Sequence, residues 1–113
     1  MAKWRELTTI EEWEEVYKNS NKPLIVFKHS TACPVSSNAL NEFEQYLAGT
    51  PREDIDYVLV KVIESRPVSN RIAEDTGVKH ESPQIMYIDE KRSVVWNTSH
   101  WAITVEHMTA VLH

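Results

Sequence analysis

Two short, uninterrupted apolar segments constrain the fold of this chain more than any other feature. The segments PLIVFKH (23–29) and DYVLVKVI (56–63) are separated by a stretch with helical periodicity. A continuous apolar run of this length is typical of a strand that is buried on both faces. Because a helix connects them, we expect the two strands to be parallel, with a right-handed crossover.

The predicted helices begin and end at recognisable residues. Thr9 and Glu12 form a capping box ahead of the first helix, and Pro34 suits the first turn of the second. The third helix lies within PVSNRIAEDTG, with Gly77 as its C-cap, and the last starts near Thr104. The apolar faces of the first two helices are Ile10, Trp13, Val16, Tyr17 and Val35, Ala39, Phe43, Tyr46, Leu47.

Two further segments, PQIMYID (83–89) and RSVVWNTS (92–99), read as an antiparallel hairpin. The element order is then α-β-α-β-α-β-β-α. This order predicts an α/β fold with a four-stranded mixed sheet and helices on both faces. With 113 residues, the chain is expected to form a single domain, residues 1–113, with a core of its own.

Composition argues against several classes of protein. A formal charge of −5 disfavours nucleic-acid binding, which needs a basic face. No apolar run approaches the ~18 residues of a membrane span, so we expect no membrane partner. The opening MAKWRELTTIEEWEEVYK has no apolar signal-peptide core, and we expect a cytoplasmic location. With a single cysteine, an internal disulfide is impossible.

That cysteine, Cys33, lies where reactive groups of open α/β sheets gather. It follows the carboxyl end of the first apolar strand and precedes the second helix. The partial positive charge of a helix N-terminus favours a thiolate, the species that attacks sulfur, and Lys28 and His29 add local positive charge. The alternative is a cysteine packed inertly in the core.

Two neighbouring features have two interpretations each. Ser36 stands where a dithiol protein would carry its second cysteine, so Cys33 cannot close an internal disulfide and needs an external thiol. Ser36 either donates a hydrogen bond to the thiolate or is simply an early residue of the helix. Pro83 either opens a strand or belongs to a cis Ser82–Pro83 bond near the cysteine loop.

Together these residues resemble a known family. The element order, the cysteine position and the G-V-x-x-x-x-P spacing before a strand are similar to the thioredoxin fold. HSTACPVSS resembles the Thr-x-Cys-Pro-(Ile/Val)-Ser motif of the monothiol bacilliredoxins, and LTTIEEWEEV, ESPQ and NTSHWAIT are also similar to that family. The resemblance implies that Cys33 is the nucleophile and Pro83 the cis-proline of a substrate groove. The supporting active-site residues that it implies are Thr31, Pro34, Ser36 and Ser82.

The resemblance also implies an activity. Such proteins exchange disulfides with bacillithiol, a cysteine–glucosamine–malate thiol, and their proposed substrates are S-bacillithiolated proteins. Bacillithiol would be the co-substrate, with no tightly bound cofactor or metal. Analogy with glutaredoxin-like folds and the charge of the malate group suggest six candidate bacillithiol contacts, which are Lys28, His29, Lys79, His80, Ser99 and His100. Each of them could instead be an ordinary surface residue.

Other functions compete with this interpretation. Monothiol glutaredoxins can hold an iron–sulfur cluster between two subunits, and one accessible cysteine permits that. A thiol peroxidase is less compatible with the sequence. Peroxiredoxin sites use the motif Pro-x-x-x-Thr-x-x-Cys, and here the proline position holds Val26 and the threonine position holds Ser30. A zinc site would have only His29 and Cys33, with no third ligand at motif spacing. The sequence leaves the oligomeric state open.

Overall fold

The computed structural model describes residues 3–49 and 51–113. Its helices are α1 (Ile10–Tyr17), α2 (Pro34–Ala48), α3 (Arg66–Thr76) and α4 (Val105–Leu112). Its strands are β1 (Arg5–Glu6), β2 (Leu24–His29), β3 (Asp56–Lys61), β4 (Gln84–Ile88) and β5 (Val94–Ser99). A short 3-10 turn, His100–Ala102, connects β5 to α4. Within the described residues, no helix has the length and hydropathy needed to cross a membrane.

The sheet has five strands in the order β1-β3-β2-β4-β5, so the prediction of four strands was wrong. The added strand β1 pairs in parallel with β3, and Leu7 N donates to Leu59 O just beyond it. It escaped prediction because its two charged residues carry no apolar pattern. Two predicted pairings are confirmed: β2 and β3 are parallel, and β4 and β5 are antiparallel. The structure adds that β4 is also antiparallel to β2.

Helices cover both faces of the sheet, as predicted, and β2 is buried along its whole length. Successive side chains of a strand point to opposite faces. One face of β2 therefore packs against α2 and α4 in a cluster that includes Ile25, Phe27, Phe43 and Met108. The other face packs against α1 and α3 in a cluster that includes Leu24, Val26, Trp13 and Ile72.

Three of the predicted helix ends are confirmed. The Thr9 hydroxyl accepts from Glu12 N, and the Glu12 carboxylate accepts from Thr9 N, which completes the capping box. Pro34 is the first residue of α2. Gly77 caps α3 in the left-handed conformation, with φ of 72°, which a residue without Cβ adopts at little cost.

Strand register places the candidate residues at one end of the sheet. Lys28 near the end of β2 pairs with Gln84 at the start of β4, and Gln84 pairs with Ser99 at the end of β5. The loop before α2, the Ser82–Pro83 bond and the His100 turn therefore extend from neighbouring strands. The fold brings together segments that are far apart in the sequence.

Candidate active site

Cys33 is the N-cap residue of α2, with an extended backbone (φ −116°, ψ 122°) and a half-buried side chain. Pro34, which has no N–H, forms the first helical position, and Cys33 N donates to Ser30 O at 3.3 Å. The first N–H groups of a helix lack intrahelical acceptors and face the N-cap side chain. The sulfur therefore lies where a helix best receives negative charge.

Ser36, at the third position of α2, is completely buried, and its hydroxyl is bonded to the end of β2. Ser36 Oγ accepts a hydrogen bond from Ser30 N at 2.9 Å and lies 2.8 Å from His29 Nδ1. The Cys33 side chain makes no capping hydrogen bond. Ser36 is therefore more than an early helical residue, since it fastens the start of α2 to the strand before it.

His29 is 7% exposed and is held on both sides. Its carbonyl oxygen accepts from Val62 N at 2.9 Å, and its ring bonds Ser36. Burial, and next the positive charge of Lys61, lower the pKa of His29 below its usual 6.5. The carboxylates of Glu64 and Glu44 and the bond to Ser36 oppose that shift. The ring is accordingly neutral at neutral pH.

The Ser82–Pro83 peptide bond is cis, as the second interpretation of that proline requires, and β4 begins directly after it at Gln84, as the first requires. Pro83 is buried, and its carbonyl oxygen accepts from His100 N at 3.0 Å. His100 is exposed and has a left-handed backbone, with φ of 59°. This hydrogen bond joins the cis-proline segment directly to the turn that follows β5.

Lys28 is the most unusual residue near the site, because its side chain is 0% exposed. Its Nζ donates to Ser69 O at 3.1 Å and lies 3.3 Å from His80 Nδ1. An ammonium group can only donate, so His80 Nδ1 is the acceptor. Burial lowers the pKa of Lys28 to about 8. Burial, followed by the charges of Lys28 and Arg66, also lowers the pKa of His80.

The segment between α3 and β4 is tied down beside this ammonium. Gln84 Nε2 donates to Lys79 O at 3.0 Å, and Ser69 Oγ lies 3.4 Å from His80 Nδ1. Ser82 Oγ is buried and, among the described residues, has no hydrogen-bond partner. Through its bond to His80, Lys28 therefore fixes, from inside the fold, the position of the segment that leads to Pro83.

The six candidate bacillithiol contacts divide into two groups. Lys28 and His29 are buried and are bonded to protein groups, so neither presents its side chain to the surface. Lys79, His80 and His100 are exposed, and Ser99 Oγ donates to Glu81 Oε2 at 2.8 Å. Contact with bacillithiol remains a prediction for all six residues.

Sequence reasoning missed several residues of the site. Thr31 Oγ1 donates to Glu64 Oε2 at 3.1 Å, which holds the cysteine loop against the loop after β3. Trp101 is 65% exposed in the turn that begins at His100. The position of Glu81, directly before Ser82, was a usable signal. No sequence signal pointed to Glu64, because only the order of the strands in the sheet brings its loop next to Thr31.

The arrangement offers one kind of chemistry above others. The chain's single thiol lies half-buried at a helix N-terminus, and the position of a second cysteine holds a buried serine. Such a thiol can exchange with a disulfide and form a mixed disulfide, but only another molecule can resolve that product.

Comparisons with known proteins agree with this geometry. A solved structure described as a candidate oxidoreductase with a thioredoxin fold is 35% identical to this chain. It matches with a TM-score of 0.82 over 96% of this chain and 92% of its own. The chain thus has the thioredoxin-like α/β fold that the sequence predicted.

More distant structures support the fold alone. Chloroplastic thioredoxin z is 18% identical, with a TM-score of 0.75 over 99% of this chain and 93% of its own. Thioredoxin of Malassezia sympodialis (Mala s 13) is 12% identical, with a TM-score of 0.76 over 99% of this chain and 90% of its own.

Residues 5–108 match the family model described as monothiol bacilliredoxin BrxC. That match covers the cysteine motif and the cis-proline segment, and the chain belongs to the monothiol bacilliredoxin family.

Proposed function

We propose that this protein removes bacillithiol from the cysteines of S-bacillithiolated proteins through a mixed disulfide on Cys33. The observation that carries the proposal is the placement of the chain's single thiol, Cys33, at the N-cap of α2, half-buried, with a buried serine at the resolving position. Membership of the monothiol bacilliredoxin family supports thiol redox chemistry at this residue.

In the first step, the Cys33 thiolate attacks the bacillithiol sulfur of the modified protein. A new S–S bond joins Cys33 to bacillithiol, and the bond between bacillithiol and the target cysteine breaks. The target sulfur leaves with the bonding electron pair and takes a proton from water. Attack is in line with the breaking bond, so the substrate disulfide must lie over the N-terminus of α2.

In the second step, a free bacillithiol thiolate attacks the bacillithiol sulfur on Cys33. The products are bacillithiol disulfide and the Cys33 thiolate, and a separate disulfide reductase returns the small thiol to use. An external thiol is required because Ser36 cannot form a disulfide. This requirement separates the reaction from that of a dithiol protein, which resolves its own intermediate.

Substrate binding in this scheme uses the exposed surface around Cys33. The Ser82 backbone, ahead of a proline without an N–H, would pair with an extended segment of the target protein. The malate carboxylates of bacillithiol would meet the exposed Lys79 ammonium, and the exposed His80 and His100 are the further candidate contacts. The buried Lys28 and His29 would act by holding the loops rather than by touching the ligand.

The test is intact mass spectrometry after mixing the reduced protein with a model protein carrying one bacillithiol. The native chain should gain one bacillithiol adduct while the target thiol is freed. Cys33→Ala, shown by circular dichroism to be folded, should gain nothing. Absence of the adduct on the folded native protein would refute the proposal.

The two rival activities have their own measurements. An iron–sulfur cluster shared between two subunits would give visible absorbance in protein purified without oxygen. A peroxidase would consume hydrogen peroxide with no bacillithiol present. Either signal, together with no adduct formation, would replace the proposed function.

A further inference from the structure

The hydrogen bonds of Ser36 allow two arrangements of protons. A serine hydroxyl has one proton and two lone pairs. Ser30 N donates into one lone pair at 2.9 Å, which leaves one lone pair and the proton for His29 Nδ1 at 2.8 Å. Either Ser36 donates its proton to an unprotonated Nδ1, or a protonated Nδ1 donates into the second lone pair.

The two arrangements have different consequences for the rest of the site. In the first, the Ser36 proton is used by His29, and Ser36 can donate to nothing else. In the second, both lone pairs are filled and the Ser36 proton is free to turn to another acceptor. A neutral imidazole changes between them by moving its one proton from Nε2 to Nδ1, without any change in its charge.

The candidate acceptor for the freed proton is the sulfur of Cys33. Among the described residues, both hydrogen bonds of Ser36 Oγ go to Ser30 and His29, and none joins it to this sulfur. Cys33 is the N-cap and Ser36 the third helical residue of α2, so the two residues belong to the same first turn of the helix. Cysteines at this spacing close a disulfide in C-x-x-C motifs, so a hydrogen bond spans the same gap. A thiol is a weak acceptor, whereas a thiolate is a charged and strong one.

We propose that His29 is a positioning residue that holds the Ser36 proton while Cys33 is a thiol and releases it to the sulfur when the thiolate forms. Ser36 then touches the reacting atom, and His29 acts through it. The inference rests on the proposed function only in taking Cys33 as the reacting sulfur. The site would thus keep a hydrogen-bond donor in reserve where dithiol proteins keep a second cysteine.

The surroundings of His29 separate its own charging from this change of tautomer. Lys61 on β3, Glu64 after it, and Glu44 on α2 are the charged groups whose fields act on the ring, which also contacts Phe27 on β2. Because burial and Lys61 hold the pKa of His29 below 6.5, the ring is neutral through the range above neutrality. In that pH range, a change in the protonation of Nδ1 therefore reports a proton that moves from Nε2 to Nδ1, and not a proton that is added to the ring.

The first experiment compares Ser36→Ala with Ser37→Ala, an exposed serine of the same turn. The measurement is the rate of Cys33 alkylation by iodoacetamide against pH, which needs no bacillithiol and so stands apart from the test of the proposed function. Ser36→Ala should react about tenfold more slowly near neutral pH, with its midpoint raised by about one pH unit. Ser37→Ala should follow the native profile.

A merely structural role for Ser36 makes a different prediction. Loss of its hydroxyl would leave Ser30 N without a partner and lower the thermal midpoint, while the alkylation midpoint stayed equal to that of Ser37→Ala. That result would overturn the proposal.

The second experiment uses the native chain and avoids the question of whether Ser36→Ala folds. Nitrogen-15 NMR of the ring should show the His29 proton on Nε2 when Cys33 is a thiol and moving toward Nδ1 as the thiolate forms. Cys33→Ala should show no such change over the same pH range. A His29 ring protonated on Nε2 throughout the titration in the native chain would also overturn the proposal.

Discussion

The buried ammonium of Lys28 makes a quantitative prediction about stability. The side chain is 0% exposed and donates to Ser69 O and His80 Nδ1. In residues 3–49 and 51–113, no carboxylate forms an ion pair with it. Two neutral acceptors replace only part of the hydration that burial removes, so the folded chain carries a cost that the unfolded chain does not.

The size and pH range of this cost follow from the pKa of Lys28, which burial lowers from 10.5 to about 8. Below the folded value both states are protonated, and the folded state bears the whole cost. Above it the unfolded chain holds a proton that the folded chain has released, so the free energy of unfolding rises with pH. At about 1.4 kcal/mol per pH unit, the rise from about pH 7 to about pH 9.5 is roughly 2 kcal/mol.

Tyr57 sets the upper limit of the measurement. Burial raises the pKa of its phenol above the usual 10. The unfolded chain would then lose its phenol proton at a lower pH than the folded chain. The free energy of unfolding would therefore fall as the pH rises through the usual pKa of about 10. Keeping the experiment below about pH 9.5 confines it to the range in which Lys28 dominates.

The assay is urea unfolding of the native chain and Lys28→Met at about pH 7 and about pH 9.5, with Lys91→Met as the exposed control. Methionine fills similar space without a charge, and Ser69 Oγ remains near His80 Nδ1. Lys28→Met should be more stable than the native chain by about 2 kcal/mol at the lower pH, and this gain should largely vanish at the higher pH.

Two outcomes would refute this reasoning. A difference between the native chain and Lys28→Met that stays constant with pH would show that the ammonium is not the source of the cost. A Lys28→Met variant that is less stable than the native chain near neutral pH would show that the bonds to Ser69 and His80 outweigh desolvation. Lys91→Met should match the native chain at both pH values.

Two further predictions concern the helix cap and the ligand surface. Thr9→Ala removes the hydroxyl that accepts from Glu12 N and should cost about 1 kcal/mol in urea unfolding, whereas the exposed Thr109→Ala should cost much less. Lys79→Gln should raise the KM for bacillithiol in the second step several-fold because a cation near the malate carboxylates is lost, while Lys91→Gln should leave it unchanged. An equal KM in both lysine variants would remove Lys79 from the binding surface.

The parts of the fold that the sequence predicted are those specified by local chemistry. Thr9, Pro34 and Gly77 mark helix ends through their own hydrogen bonds and backbone preferences. The continuous apolar runs of β2 and β3 required two covered faces. The pair Arg5–Glu6 became a strand only because the edge of β3 was available, and no local pattern records that.

The site was less predictable because its contacts depend on which face each residue occupies. A continuous apolar strand does not reveal its two faces, so Lys28 and His29 were both expected to add charge near Cys33. The structure instead turns Lys28 toward α3 and His29 toward α2. The two possible roles of Ser36 could not be separated without knowing that the end of β2 lies against the first turn of α2.

These two adjacent residues of β2 explain how one strand positions both sides of the site. His29 bonds Ser36 and thereby holds the turn that carries Cys33. Lys28 bonds His80 and thereby holds the segment that leads to the cis Ser82–Pro83 bond. Because the two side chains leave the strand on opposite faces, each supports its own loop through separate contacts. The free-energy cost of burying Lys28 therefore accompanies the hydrogen bond that fixes the segment leading to the cis-proline. That cost does not involve the His29–Ser36 pair on the opposite face, which can respond separately to charge on the Cys33 sulfur.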